Sequence, residues 1–189
     1  MAGSFADLPL GRKPGLGASP RVDWDRTLAF REHLYRLGFK VAEAMDTAQR
    51  GMGVDWPVAR ELIQRSLRHA RTVGGDLACG VGTDQLAAGP GVTLAEVEAA
   101  YREQLGVVEA EGGRVILMAS RALASCAKGP DDYLALYARL LKDVSRPVVL
   151  HWLGEMFDPA LRGYWGSTEL PRALDTVARL IEENRAKVE

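Results

Sequence analysis

The chain of 189 residues is 47% hydrophobic and 26% charged, and its 24 basic and 25 acidic residues leave a formal net charge of −1. This composition is typical of a globular protein that is long enough to bury one sizeable core. The even charge balance argues against nucleic acid or an anionic membrane surface as a partner.

Targeting and redox features predict a cytoplasmic protein. The two cysteines, Cys79 and Cys126, have no metal-ligand spacing and form a poor disulfide framework, which is typical of a reducing compartment. The first 20 residues lack the charged and apolar stretches of a secretory signal. No apolar run reaches the roughly 18 residues of a membrane span, so we expect no membrane association.

The pattern of apolar residues divides the chain into a short N-terminal segment and one domain. Residues 1–22 are rich in Gly and Pro and predict a loop, in which residues 3–9 form the remnant of a first strand. Residues 23–189 predict alternating helices and strands. In chain order these are a helix at 24–37, a strand at 40–46, a helix at 55–73, a strand at 76–81, a helix at 94–111, a strand at 114–120, a helix at 130–144, a strand at 146–152 and a helix from about 169.

The regular alternation predicts the fold class. Strands that begin every 33 to 38 residues, with a helix between them, predict a parallel sheet with crossover helices. The sequence contains neither GxGxxG after the first strand nor GxxxxGK[ST], which disfavours a nucleotide-binding doubly wound sheet. We therefore predict an α/β fold, a partial (β/α)8 TIM-type barrel with four to five β/α units and parallel strands. An open half-sheet exposes apolar surface, and two copies of the chain could cover this surface by forming a homo-oligomer.

Functional residues of such a barrel gather at the carboxyl ends of the strands. After the strand at 40–46, Glu43 is expected to point into the barrel because an unpaired carboxylate under the helices is costly. Asp46, Thr47 and Arg50 are expected at the rim. The structural alternative is an internal salt bridge between Glu43 and an arginine, with Asp46 as a helix cap.

The next two strand ends carry further polar residues. Thr83 and Asp84 follow Gly80 and Gly82, which permit a tight turn with backbone N–H groups aimed at a ligand. Ser120 and Arg121 end the following strand, and an arginine there suits a substrate carboxylate or phosphate. The alternatives are simple turn chemistry and a surface arginine that pairs with Asp84 or Glu43.

His151 ends the last predicted strand and shares its face with Val149, so we expect it to point inward as an acid, base or metal ligand. Glu155 follows in the next loop. A buried histidine satisfied by a backbone carbonyl is the alternative. Glu43, Asp46, His151 and Glu155 could supply metal ligands, but they form no recognised motif, and no metal or other cofactor is predicted.

Four stretches of the chain resemble an uncharacterised bacterial family of dihydrodipicolinate-synthase-like proteins in the class I aldolase superfamily. They read VAEAMDTAQRGMGVDWP (41–57), LACGVGTDQL (77–86), RVILMASRALA (114–124) and RPVVLHWLGEMFDPALRGYWGS (146–167). The resemblance implies a TIM barrel and lyase or aldolase chemistry on a small keto acid such as pyruvate.

The resemblance has departures. The Thr-Thr pair that holds the substrate carboxylate in dihydrodipicolinate synthases is reduced here to Thr47, and the proton-relaying tyrosine is replaced by His151. The Schiff-base lysine of those enzymes belongs to a sixth strand, which is expected beyond Glu189, so the likeness covers the first half of a barrel. A lyase fragment is therefore predicted, and a metal-dependent barrel enzyme and a non-catalytic half-barrel remain as alternatives.

Taken together, the residues predict a catalytic set and a substrate-binding set. The predicted catalytic residues are His151, Glu43 and Asp46. The predicted substrate-binding residues are Thr47, Arg50, Thr83, Asp84, Ser120, Arg121 and Glu155.

Overall fold

The structure is a computed structural model that describes residues 22–45, 50 and 53–189. Four strands form one parallel sheet: β1 (Val41–Glu43), β2 (Leu77–Val81), β3 (Arg114–Met118) and β4 (Val149–His151). The helices are α1 (Trp24–Arg36), α2 (Trp56–Val73), α3 (Leu94–Ala110), α4 (Arg121–Cys126), α5 (Pro130–Asp143) and α6 (Leu170–Glu183). Two short 3-10 turns span Pro159–Leu161 and Tyr164–Gly166.

The strands lie side by side in the order in which they occur along the chain. A doubly wound sheet reverses its strand order at a switch point, whereas a barrel segment does not. After α6, Val188 pairs in parallel with Val148 and continues the same order beside β4. The predicted α/β fold with parallel β/α units is therefore confirmed. The predicted strand at residues 3–9 lies outside the described residues.

The register divides the sheet into an outer face, which contacts the helices, and an inner face. Cys79 lies opposite Glu43 and Val115, and these residues belong to the outer face. Met118 lies opposite His151 on the inner face. The buried core forms between the outer face and the helices, and it includes Cys79, Val115 and Leu117.

Local sequence signals explain where the helices begin and end. The Asp55 side chain accepts a hydrogen bond from the Val58 N–H and caps α2, and Thr93 forms a capping box with Glu96 at α3. Gly74 ends α2 in the left-handed conformation, with φ of 67°. None of the helices in the described part of the chain has the length and apolar content needed to cross a bilayer.

The predicted orientation of Glu43 is wrong. Its carboxylate is fully buried on the outer face, where Arg31 donates from Nε and Nη2 at 2.8 and 2.9 Å. Ser66 of α2 donates a third hydrogen bond at 2.8 Å. The cost of burying the carboxylate is offset because α1 and α2 supply its partners. Glu43 therefore joins β1 to two helices, as the structural alternative stated, and it does not face the barrel interior.

Replacing Arg31 tests this buried pair. We expect Arg31→Met to lower the free energy of unfolding by about 3–5 kcal/mol, because it leaves the Glu43 carboxylate buried without its main partner. The double variant Arg31→Met/Glu43→Leu should recover much of this loss. Urea unfolding measures both values. Arg26→Met, which removes the exposed pair with Asp23, is the matched control and should change stability by less than about 0.5 kcal/mol. A cost for Arg31→Met as small as that of this control would show that the pair is not structural.

Candidate functional site

A cavity of about 790 Å³ lies at the carboxyl ends of β2 and β3. The start of α2 and the loop after β2 form one side, and the start of α4 and the first 3-10 turn form the other. This is the edge at which barrel enzymes hold their substrates. The size falls within the usual range for small-molecule pockets, roughly 300–1,000 Å³.

Five of the predicted site residues line this cavity. They come from three different strand ends and the loops after them: Arg50, Thr83, Asp84, Ser120 and Arg121. The sequence therefore predicted a large part of the polar lining. Asp158, Asp55 and Gln85 also line the cavity and were not predicted.

Arg50 lies beneath the cavity rather than at its rim. Its side chain is almost completely buried, and its Nη1 donates to Asp84 Oδ1 at 3.1 Å and to Gln104 Oε1 at 2.7 Å. Its Nη2 donates to the carbonyl of Gly80 at 3.0 Å. The guanidinium also lies over the Trp56 ring, 5.3 Å from the centroid. These contacts make Arg50 a group that positions the site rather than one that presents a cation to a ligand.

Gln104 of α3 completes this network and was not among the residues predicted from the sequence. Besides accepting from Arg50, its Oε1 accepts from the Gly82 N–H at 2.7 Å, and its Nε2 donates to Asp84 Oδ1 at 2.8 Å. The residue is fully buried. One signal was available, because Gln104 interrupts the apolar face of α3 between Tyr101 and Leu105, and a buried amide requires polar partners.

The prediction for the two glycines is wrong. The Gly82 N–H donates to Gln104 instead of pointing to a ligand. A Cβ at Gly80 would lie 2.6 Å from the carbonyl oxygen of Ala44 and 2.9 Å from the Met118 sulfur. A Cβ at Gly82 would lie 3.1 Å from Met118 Cε. Close packing against a backbone oxygen therefore requires glycine at residue 80, whereas at residue 82 the contact is with the flexible end of Met118, and neither glycine has the positive φ angle that a turn would demand.

Thr83 and Ser120 form a hydroxyl pair that joins the ends of β2 and β3. Their oxygens lie 2.6 Å apart. Ser120 Oγ also accepts a hydrogen bond from the Leu123 N–H and thereby caps α4. The two hydroxyls have two protons, and the bond between them uses one. The second proton can be donated to the Tyr101 hydroxyl beside Ser120 or to a ligand in the cavity, which both Thr83 and Ser120 line.

Three buried tyrosines hold the backbone behind this pair. Tyr101 donates to the carbonyl of Met118 at 2.5 Å, and the hydroxyl of Tyr164 accepts from the Ser120 N–H at 3.0 Å. Tyr137 lies between them, 2.9 Å from the Tyr164 oxygen. The end of β3 is thus fixed on both sides of residue 119, which sets the position of the Ser120 hydroxyl.

Arg121 lies at the exposed rim of the cavity. Its Nε donates to Asp158 at 2.5 Å, and its side chain is 57% exposed. Among the residues that the structure describes, its two terminal nitrogens have no partner. The alternative of a pairing with Asp84 or Glu43 is not formed, because Asp158 is the partner. Arg121 therefore presents two N–H groups in the geometry that suits a carboxylate.

The remaining predicted site residues lie elsewhere. His151 lies on the inner face as predicted, but neither it nor Glu155 is among the residues that line the cavity. Glu155 is exposed and lies 3.8 Å from Arg162. His151 Nδ1 is buried and has no hydrogen-bond partner in the described ranges, so the backbone carbonyl of the structural alternative does not satisfy this nitrogen there. Asp46 and Thr47 lie outside the described residues.

The arrangement of carboxylates and histidines also bears on a metal site. Over residues 22–45, 50 and 53–189, no three His, Cys, Asp or Glu side chains come close enough together to hold a metal ion. Glu43 lies on the outer face and His151 on the inner face of the sheet, so these two cannot share one ion.

All five tyrosines are in environments that disfavour the phenolate. Burial raises the pKa of Tyr35 to about 12. Burial likewise raises the pKa of the four others above its ordinary value of 10, namely that of Tyr101, Tyr133, Tyr137 and Tyr164. The unfolded chain would ionise them near pH 10, so the folded state is favoured below that pH and loses this advantage as the pH rises through the folded pKa values.

An alkaline titration tests this burial. We expect the phenolate absorbance at 295 nm to stay low through pH 10 and then to rise together with the loss of far-ultraviolet circular dichroism, because ionisation requires unfolding. Phenolate signal that develops near pH 10 while the circular dichroism stays native would contradict the buried hydroxyl network.

Comparison with known proteins places the chain in a family. The chain matches, over residues 5–189, the model of a family described as protein of unknown function (DUF993). No curated protein matches it. This description names no activity, so the likeness to dihydrodipicolinate synthases stays a prediction. The match spans nearly the whole sequence, and the chain therefore belongs to the DUF993 family.

Proposed function

We propose that the chain acts as a lyase or aldolase-type enzyme on a small 2-keto acid, which binds in the cavity at the ends of β2 and β3. One observation carries the proposal. The cavity combines a guanidinium whose terminal nitrogens have no partner among the described residues, a hydroxyl donor and a carboxylate, and these three groups suit such a substrate.

The substrate carboxylate is assigned to Arg121. A guanidinium edge binds a carboxylate through two parallel N–H···O bonds, and Asp158 keeps the side chain in place through its Nε. The rim position lets the charged substrate group stay partly hydrated, which avoids the cost of burying an ion pair.

The substrate carbonyl oxygen is assigned to the hydroxyl pair of Thr83 and Ser120. The donor is the O–H group of the pair that does not donate within their 2.6 Å contact. Both residues are more than nine-tenths buried, so this hydrogen bond forms in a weakly screened environment. Its electrostatic stabilisation of the carbonyl oxygen is therefore stronger than it would be in water.

Asp84 is assigned the role of base. Arg50 and Gln104 both bind its Oδ1, and within the described part of the chain its Oδ2 has no partner. In the proposed step, Oδ2 takes a proton from the carbon next to the carbonyl. The electron pair of that C–H bond moves to the carbonyl oxygen, whose developing charge the hydroxyl stabilises. The resulting enolate attacks the carbonyl carbon of an aldehyde co-substrate, and the alkoxide that forms takes back the proton held by Asp84. The reverse sequence describes cleavage to the keto acid and the aldehyde.

The described lysines favour this non-covalent route at the cavity. Lys40 pairs with Asp76 at the start of the sheet, and Lys187 donates to the carbonyl of Val144. Lys142 lies in α5. None of the lysines that the structure describes, which also include Lys128, lines the cavity.

Proton exchange at carbon 3 of pyruvate tests the assigned base. In D2O we expect the protein to catalyse loss of the methyl signal in the proton NMR spectrum, and Asp84→Asn to slow this by at least about 100-fold, since it removes the base. Asp131→Asn, an exposed carboxylate in α5, is the matched control and should exchange at the parental rate. Absence of exchange above background with the folded protein would overturn the proposal.

The same assay tests the assigned carboxylate ligand. We expect Arg121→Gln to raise the KM for pyruvate by about 10- to 100-fold with a smaller effect on kcat, because it removes charge-assisted bonds worth about 1.5–3 kcal/mol. Arg162→Gln, an exposed arginine in the neighbouring loop, is the control. An unchanged KM for Arg121→Gln would remove this residue from the site while leaving the role of Asp84 testable.

A further inference from the structure

The cavity is much larger than the smallest substrate of the proposed type. Water occupies about 30 Å³ per molecule, so a cavity of about 790 Å³ has room for on the order of 25 waters. Pyruvate has only six non-hydrogen atoms. Once its carboxylate and carbonyl are bound at Arg121 and the hydroxyl pair, most of the cavity is left for another part of the substrate.

The cavity has an apolar wall, formed by Val54, Trp56, Pro57 and Leu86. Trp56 and Pro57 begin α2, Val54 lies just before the Asp55 cap of that helix, and Leu86 belongs to the loop after β2. Val54 and Trp56 are each 7% exposed, so they are fixed in the core and present only one edge to the cavity. Apolar side chains of this kind bind apolar groups through the area that they remove from water.

The central residue of this apolar wall is held rigidly. Trp56 Nε1 donates to Glu103 at 2.6 Å, and the guanidinium of Arg50 covers the Trp56 ring. Pro57 has a fixed backbone φ angle in the first turn of the capped helix. Because the wall is already ordered, binding against it requires little loss of side-chain freedom.

The cations of the cavity limit the charge of the substrate. Arg50 and Arg121 are the basic residues that line the cavity in the described part of the chain. Arg50 already contacts Asp84, Gln104 and Gly80. Among the described residues, Arg121 is therefore the one cation of the lining that offers its terminal nitrogens to a ligand. A second carboxylate on the substrate would face the apolar wall or Asp84.

We infer that the substrate is a 2-keto monocarboxylic acid with an apolar chain beyond carbon 3, which packs against Val54, Trp56, Pro57 and Leu86. The inference rests on the proposed function, because it uses Arg121 and the hydroxyl pair to fix the head of the molecule. It adds the chemical class of the tail and excludes dicarboxylic keto acids.

A chain-length series tests the inference with the unaltered protein. The assay is exchange at carbon 3 in D2O, with pyruvate, 2-oxobutanoate, 2-oxopentanoate, 4-methyl-2-oxopentanoate and 2-oxopentanedioate as probes. We expect kcat/KM to rise about threefold to fourfold for each added apolar carbon. The dicarboxylate should be slower than 2-oxopentanoate, which has the same number of carbons.

Two leucine variants locate the effect. Leu86→Ala should lower kcat/KM for 4-methyl-2-oxopentanoate several-fold more than for pyruvate, because Leu86 contacts only the tail. Leu174→Ala, an exposed leucine of α6, should change neither value. Exchange with pyruvate but no rise along the series would overturn the inference and leave the proposed function intact. A dicarboxylate that is preferred over 2-oxopentanoate would also overturn it. Absence of exchange with every acid would overturn the proposed function itself.

Discussion

The geometry of the candidate site depends on one buried contact, that between Arg50, Asp84 and Gln104. A guanidinium that is almost completely buried must satisfy its donors within the protein, and its partners come from β2, the loop after it and α3. The same contact orients the Asp84 carboxylate, because both of its hydrogen bonds fall on one oxygen. Among the described residues, the other oxygen has no hydrogen-bond partner.

The sheet uses a second buried arginine for a different purpose. Arg31 and Glu43 form a pair on the outer face, between β1 and the helices, while Arg50 serves the cavity. Burying a charge pair is rarely the most stable solution, but it fixes the relative positions of the elements that supply the partners. One pair therefore sets how α1 and α2 lie on the sheet, and the other sets where β2 ends relative to α3.

Features that depend on neighbouring residues could be read from the sequence, and those that depend on distant partners could not. Asp55, Thr93 and Gly74 act within one turn of the helix ends that they define, and the predicted extents of α2 and α3 are confirmed. The orientation of Glu43 was predicted wrongly because its partner, Arg31, lies in another element. Thr83, Asp84, Ser120 and Arg121 were found because parallel strands bring their carboxyl ends to one edge. Gln104 lies on a helix, so the position of the strand ends does not predict that it contacts the site.

The glycines beneath the cavity constrain how this family can vary. A side chain at residue 80 would meet the backbone carbonyl of Ala44, which cannot move without shifting β1, so that position must stay glycine. At residue 82 the nearest atom is the flexible end of Met118, which can retract or be shortened. Residues 82 and 118 should therefore have evolved as a pair, in which a larger residue at one is accompanied by a smaller residue at the other. Aligned relatives would record this pairing as covariation across two neighbouring strands.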